Sequence, residues 1–137
     1  MNMKFKDEYI KWLYDNTDEY KVSDNVYRIT LPFLNRNNDC TEIFIKLDGD
    51  KYLLTDDGET INELELSGFN LFSSQKRTAI FNRILAAHGI KKSDDGELYT
   101  ICSKDNLPQR KHMLSQCMIK ISDMFYTAKN NVQSLFL

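Results

Sequence analysis

Hydrophobic side chains recur along this chain with two periods, and those periods predict helices and strands in a defined order. Aromatic residues between Phe5 and Trp12 fall at helical spacing among charged ones, which predicts an amphipathic first helix ending near Asn16. We expect its aromatic face to pack into the core. The run 16–25 is polar and predicts a loop.

Three runs with a period of two predict strands in the first half of the chain. The run 25–33 is expected to stop at Pro32, because proline cannot donate to a sheet ladder. The runs 41–47 and 51–55 flank Asp48-Gly49-Asp50. Asp-Gly between two such runs predicts a β-hairpin, since glycine accepts the positive φ of a tight loop.

Helix signals follow the hairpin. The segment 60–67 predicts a short helix that ends on Gly68, because glycine is the usual left-handed residue after a helix. A second helix starts at Ser73 or Ser74, both good N-cap residues, and ends at Gly89.

The longest helix is predicted near the end of the chain, after a second hairpin signal at 94–96 and a strand at 98–102. Asp105 is the expected cap, and Pro108 is acceptable in the first turn. Its apolar face is formed by Leu114, Cys117, Met118, Ile121, Met124, Phe125 and Ala128. The order of elements predicts an α+β fold, an antiparallel sheet with β-hairpins packed against three or four helices and a long C-terminal helix.

Length and composition narrow the class of protein. The 137 residues fit one domain, and 18 basic against 20 acidic residues give a net charge of -2, which excludes a whole-molecule attraction to nucleic acid. Cys40, Cys102 and Cys117 form no CxxC or Cys/His cluster, so neither a disulfide framework nor a zinc site is expected. No apolar run approaches the ~20 residues of a membrane span, and we expect a cytoplasmic protein.

Several segments together resemble a known family. They are Leu31-Pro32-Phe33-Leu34, Asp39, Glu42-Ile43-Phe44-Ile45, Leu54-Thr55-Asp56-Asp57-Gly58, the helix from Leu64 to Gly68, Arg77, Leu114-Ser115-Gln116 and Asp123-Met124-Phe125. With these segments the chain resembles an uncharacterised family of bacterial and phage proteins known only as domain of unknown function number 1828. The resemblance implies a phage or mobile-element setting and a single domain over 1–137, similar to the N-terminal part of larger two-domain relatives. It implies no established chemistry.

Acidic residues concentrate around the central hairpin: Asp39, Glu42, Asp56, Asp57 and Glu59. Strand pairing through the hairpin places Glu42 opposite Asp56 or Asp57, where opposed Cβ atoms lie about 4.5–5.5 Å apart. Like charges at that distance repel unless a cation lies between them. Glu42, Asp56 and Asp57 are therefore the candidate ligands of a hard divalent cation such as Mg²⁺.

Two other interpretations of these acids remain open. In the first, the side chain of Arg28 or Lys46 supplies the positive charge and no metal is needed. In the second, Asp56 or Asp57 caps the N-terminus of the next helix. The catalytic version is a small metal-dependent nuclease that uses Asp39, Glu42, Lys46, Asp56 and Asp57. Glu42 and Lys46 share a strand face, but a separation of four departs from the usual acid–lysine separation of two.

The C-terminal segment is apolar at Val132, Leu135, Phe136 and Leu137. Such residues rarely stay in water, so we expect them to contact a protein partner or a second copy of the chain. The sequence thus predicts a non-catalytic protein-interaction module of phage or mobile-element origin, an inhibitor or component of a host-defence system that needs no cofactor. The nuclease, which requires Mg²⁺ and binds nucleic acid, is the alternative.

Overall fold

A computed structural model describes residues 4–128 as an antiparallel sheet covered by helices. The strands are β1 (Asp18–Ser23), β2 (Val26–Leu34), β3 (Cys40–Asp48), β4 (Lys51–Thr55), β5 (Lys91–Lys92) and β6 (Leu98–Cys102). The helices are α1 (Phe5–Asp15), α2 (Glu59–Leu66), α3 (Gln75–His88) and α4 (Leu107–Asp123), with short 3-10 turns at Lys104–Asn106 and Met124–Thr127. The predicted α+β class and the long C-terminal helix are confirmed.

The six strands pair in the order β1-β2-β3-β4-β6-β5, and every neighbouring pair is antiparallel. The central hairpin is confirmed: Asp48 pairs with Lys51, and Gly49 in the turn has φ +62°. The second hairpin signal also forms a turn, between β5 and β6, where Lys92 pairs with Leu98.

The segment expected to be a loop at 16–25 contains the edge strand β1 instead. It pairs with β2 from Asp18–Thr30 to Ser23–Val26, and Asp24 and Asn25 form the turn between the two strands. Every side chain of β1 is exposed. Tyr20 and Val22 alternate with polar residues along β1, but both are exposed. Two apolar positions within a polar run give too short an alternation to predict a strand, so the sequence pattern missed it.

Strand β2 continues past Pro32 to Leu34, where a stop was expected. The register shifts between Leu31, which pairs with Thr41, and Leu34, which pairs with Cys40. On its other side β2 pairs with β1 only as far as Thr30. Pro32 therefore lies at an irregularity and beyond the neighbouring strand, where its missing N–H costs no ladder hydrogen bond.

Helix α4 is the centre of the helical layer. It packs on β3, β4 and β6, and α2 and α3 pack beside it. The buried hydrophobic side chains form one cluster, whose members with the least exposure are Ile43, Leu54, Leu64, Leu71, Phe81, Leu98, Leu114, Cys117 and Ile121. Because side chains alternate across a strand, the opposite face of β3 carries Glu42, Phe44 and Lys46. Within residues 4–128 no helix has both the length and the apolar character to cross a membrane.

The aromatic face of α1 is not part of this core, contrary to expectation. No residue of α1 is buried, and Phe5 and Tyr14 expose 71% and 80% of their surface. The helical period identifies which face of α1 is apolar, but whether another element covers that face depends on tertiary packing.

The start of α4 also differs from expectation. The 3-10 turn Lys104–Asn106 precedes it, with Ser103 as its N-cap residue, and the Ser103 N–H donates to Asn106 Oδ1 at 3.0 Å. Asn106 occupies the N-cap position of α4 but makes no side-chain cap hydrogen bond to it, so the cap position lies one residue after Asp105. Pro108 lies in the first turn of α4 as predicted.

Gly89 ends α3 at a point where the Arg110 side chain, from α4, reaches across to β6. It has φ +65°, and a Cβ atom there would lie 2.7 Å from Nη2 of Arg110. That nitrogen donates to the carbonyl oxygens of His88 and Gly89 and to Oγ1 of Thr100. Arg110 thus closes the end of α3 against β6, and a side chain at position 89 would force the Arg110 guanidinium to shift.

We predict that Gly89→Ala lowers the free energy of unfolding by more than the about 1–2 kcal/mol that a left-handed φ alone costs, because the added methyl group also displaces Arg110. The matched control is Gly68→Ala, which has φ +84° and no atom within 4 Å of the added Cβ. Urea denaturation followed by circular dichroism measures both changes. Equal losses in the two variants would show that Arg110 contributes nothing at this site.

Candidate functional site

A cleft opens where β4 ends and β3 continues. The pairing of these strands stops at Phe44–Thr55, while β3 extends on to Cys40. The predicted strand pairing of Glu42 with Asp56 or Asp57 does not form, because β4 ends at Thr55. The gap lies between β3, the start of α2 and the last turns of α4, and encloses about 490 Å³. That volume falls in the range of about 300–1,000 Å³ typical of ligand sites.

The end of β4 is fixed by the side chain of Asp56, which is 1% exposed. The Asp56 N–H donates to the Leu98 carbonyl, so the ladder with β6 continues for one residue. The Leu98 N–H, however, donates to Asp56 Oδ1 at 2.8 Å rather than to the Asp56 carbonyl. The carboxylate therefore replaces a main-chain carbonyl in the ladder, and the chain is free to turn away.

The same carboxylate begins α2. Asp56 Oδ1 also accepts the Gly58 N–H at 2.8 Å, and Oδ2 accepts the Thr60 N–H at 3.1 Å. Burial raises the pKa of Asp56 above 3.8, and the N–H groups of Leu98, Gly58 and Thr60 lower it again in part. Of the alternatives for the acids, helix capping therefore applies to Asp56, because both of its carboxylate oxygens accept hydrogen bonds from main-chain N–H groups.

The turn after Asp56 is held in an uncommon conformation. Asp57 and Gly58 have φ +60° and +80°. Aspartate tolerates the left-handed region better than most residues, and glycine adopts it freely. The Asp57 N–H donates to Oγ1 of Thr55, whose hydroxyl donates to Glu97. These bonds leave the Asp57 side chain exposed at the mouth of the cleft.

Six carboxylates line the cleft: Asp39, Glu42, Asp56, Asp57, Glu59 and Glu63. Its other walls include apolar and hydroxyl side chains, namely Phe44, Met118, Ile119, Thr41, Thr60 and Ser122. Among the described residues, none that lines the cleft is a lysine, arginine or histidine. The cleft therefore combines an acidic rim with a partly apolar wall, and we call it the acidic cleft.

One of these acids is neutralised by an arginine behind the wall. Arg36 Nη2 lies 2.7 Å from both Oε1 and Oε2 of Glu63, and only 6% of the Arg36 side chain is exposed. Asn37 and Ser67 also donate to Glu63. The guanidinium stacks over the Phe125 ring at 4.1 Å. Glu63 is thus a structural residue that ties the 35–39 loop to α2.

The four remaining acids, Asp39, Glu42, Asp57 and Glu59, are exposed. Within residues 4–128 none of their carboxylates has a hydrogen-bond or ion-pair partner. Asp39 and Asp57 use only their main-chain N–H groups, which donate to Asn35 and Thr55. Four carboxylates around one cleft repel one another, and a positive charge entering it relieves that repulsion.

Ser122 was missed as a candidate, although it lines the cleft from α4. It is 5% exposed, and its Oγ atom has no hydrogen-bond partner among the residues that the structure describes. A buried hydroxyl without a partner is costly, which favours a ligand that supplies one. A serine on the apolar stripe of α4, four residues after Met118, was the signal in the sequence.

The catalytic candidate Lys46 does not line the cleft. It lies further along β3, where it pairs with Val26 and Leu53. It shares the strand face of Glu42 as expected, but the separation of four residues places it toward the hairpin end. In the part of the chain that the structure describes, no group of three or more His, Cys, Asp or Glu side chains is arranged to hold a metal ion.

Two further expectations concern cysteine and the apolar tail. Cys40 is exposed and lines the cleft. Cys102 and Cys117 are buried, and burial raises the pKa of Cys117 to about 12. The partner-binding candidates Val132, Leu135, Phe136 and Leu137 lie outside the described residues.

Fold and site define an α+β domain in which an interrupted antiparallel sheet opens an acidic cleft beside its longest helix. The model of the family known as domain of unknown function DUF1828 matches residues 31–121, and the chain belongs to this family. The match covers β3, β4, α2 and most of α4, the elements that form the cleft. No curated protein and no solved structure showed significant similarity to the chain.

We predict that Asp56→Asn lowers the free energy of unfolding by about 1–3 kcal/mol, because an amide cannot accept hydrogen bonds at both of its terminal atoms and leaves a buried N–H unpaired. The neighbouring Asp57→Asn variant is the control. Asparagine also tolerates the left-handed φ, so we expect a change within about 0.5 kcal/mol. Chemical denaturation at neutral pH compares the two, and an equal loss would contradict the role assigned to Asp56.

Proposed function

We propose that this chain is a non-catalytic protein-interaction module whose acidic cleft receives a positively charged segment of a partner protein. The observation that carries the proposal is the set of four carboxylates, Asp39, Glu42, Asp57 and Glu59, which line one cleft and are paired with no basic side chain of residues 4–128. Complementary charge at such a site steers a basic partner toward it and fixes its orientation.

The wall of the cleft favours a side chain over a small hydrated ion. Phe44, Met118 and Ile119 provide apolar surface below the acidic rim. Lysine and arginine carry an aliphatic stem behind a charged head, so one side chain satisfies both surfaces. Arginine adds five donors in a planar fork, which suits several carboxylates at once.

The metal-dependent nuclease remains the alternative, and one observation favours it: Asp39, Glu42 and Asp57 line the same cleft. The position of Lys46 outside the cleft favours the binding module, because the nuclease needs a basic side chain beside its acids. Thermal denaturation with Mg²⁺ or Mn²⁺ separates the two functions. A rise in Tm that disappears in Asp57→Asn would replace the binding module with a metal site.

The biological setting is also a proposal. We propose that the module acts in the cytoplasm, in a phage or other mobile element, as an inhibitor or component of a host-defence system. The resemblance of the sequence supports this setting, and the three unpaired cysteines are consistent with a reducing compartment. Synthesis of the protein in a bacterium challenged with phage tests it: unchanged phage growth in hosts with intact defence systems counts against an inhibitor.

A short capped peptide with two arginines should bind the protein more tightly than the same peptide with neutral citrulline in their place. Fluorescence anisotropy of the labelled peptides measures both affinities. We expect the double variant Asp57→Asn, Glu59→Gln to bind the arginine peptide about tenfold more weakly, because two rim charges are lost. Added NaCl should also weaken the binding, since salt screens exposed charges.

The matched control for this experiment removes the same charge elsewhere. Glu8→Gln with Glu19→Gln neutralises two exposed acids, on α1 and on β1, away from the cleft. We expect this variant to keep the affinity of the unmodified chain. Equal affinity for the arginine and citrulline peptides, or equal losses in both double variants, would contradict the proposed cleft.

We further propose that Val132, Leu135, Phe136 and Leu137 mediate self-association, since four apolar residues within six rarely remain in water. Deleting 132–137 is then expected to reduce the molar mass measured by size-exclusion chromatography with light scattering. The control replaces the polar residues Gln133 and Ser134 by alanine and leaves the mass unchanged. A monomeric full chain, or an unchanged mass after the deletion, rules out this contact.

A further inference from the structure

The edge of β3 that faces the acidic cleft offers an unpaired main chain. The Leu47 N–H donates to the Asn25 carbonyl at 2.8 Å, toward β2. Main-chain groups of successive residues in a strand point to opposite sides, so those of Phe44 and Glu42 point toward β4. Phe44 is paired there with Thr55, the last residue of β4, and Glu42 faces the gap.

Glu42 has no partner on that side. The turn that leaves β4 directs the Asp56 carbonyl to Glu59 and the Asp57 N–H to Thr55 Oγ1, so neither reaches across the gap. No hydrogen bond of the described residues joins the Glu42 N–H or C=O to another main chain on the cleft side. A donor and an acceptor in strand geometry therefore border the cleft.

The cleft contains a second unpaired polar group, on the opposite wall. Ser122 lines the cleft from α4 and is 5% exposed, and within 4–128 its Oγ atom meets neither a donor nor an acceptor. A hydroxyl both donates and accepts, as a peptide group does. Main-chain groups on one wall, a hydroxyl on the other and carboxylates at the rim together suit a peptide with a basic side chain.

We propose that the partner segment binds as an extended strand added to the edge of β3 at Glu42, taking the place that β4 vacates, with an arginine or lysine side chain directed to Asp57 and Glu59. This inference rests on the proposed function and specifies the form of its ligand. Peptides that extend a sheet in this way gain affinity from main-chain hydrogen bonds and specificity from alternate side chains. A positively charged ligand complements the four unpaired carboxylates. The same edge of a second copy would bring the same four acids to the cleft, and the like charges would repel.

The test uses the capped arginine peptide and a series in which each peptide nitrogen in turn is methylated. Methylation removes an N–H donor without changing charge. Strand addition predicts an alternating pattern, with methylation at every second residue weakening binding about fivefold or more and methylation between them having little effect. Hydrogen exchange of the Glu42 amide should slow when the peptide is bound.

Two substitutions at Glu42 test the same edge of β3 by changing the protein instead of the peptide. Glu42→Pro removes the N–H that faces the gap, a position at a sheet edge that proline tolerates. Glu42→Gln removes only the charge. Strand addition predicts a larger loss of affinity for Glu42→Pro than for Glu42→Gln. The methylation series, measured on the unmodified chain, decides the question if Glu42→Pro does not fold.

The outcomes distinguish this inference from the function on which it rests. If the arginine peptide binds better than the citrulline peptide but no methylation matters, strand addition is wrong and the cationic cleft stands. If neither peptide binds, or both bind equally, the proposed function fails and this inference with it. Protection of the Glu42 amide that rises with protein concentration, without peptide, would assign the edge to a second copy and overturn the proposal.

Discussion

The architecture around the cleft depends on one substitution of hydrogen-bond acceptors, in which the Asp56 carboxylate takes the place of its own main-chain carbonyl. The carboxylate accepts the Leu98 N–H and so completes the β6 ladder, while the carbonyl accepts the Glu59 N–H and starts α2. A strand that ends this way can turn into a helix within two residues without leaving a buried donor unpaired. The chain therefore leaves the edge of β3 at this point, where the gap opens.

The acids around the gap divide into two groups with different physical roles. Asp56 and Glu63 are bonded to main-chain donors and to Arg36, and they stabilise the fold. Asp39, Glu42, Asp57 and Glu59 have no such partners and repel one another in the described structure. Sites that bind ligands commonly retain groups that lower stability, because the same groups are needed free for the ligand. The division therefore separates residues expected to affect folding from those expected to affect binding.

The features that the sequence predicted correctly depend on local chemistry. The hairpin at Gly49 and the helix end at Gly89 follow from the backbone freedom of single glycines. Features that depend on distant parts of the chain were not predictable: β1 has no buried face, and the aromatic face of α1 is uncovered. The isolated hydroxyl of Ser122 required the positions of three elements at once.

The two edge strands of the sheet, β1 and β5, affect how the protein behaves at high concentration. Strand β1 carries Asp18, Glu19 and Lys21 and has an irregular register after Lys21, and β5 consists of two lysines. Charged, short or irregular edge strands resist pairing with strands of another molecule, which is how natural β-proteins avoid aggregation. Crowded molecules of this protein should accordingly stay apart along both edge strands, even though the acidic cleft leaves part of β3 unpaired.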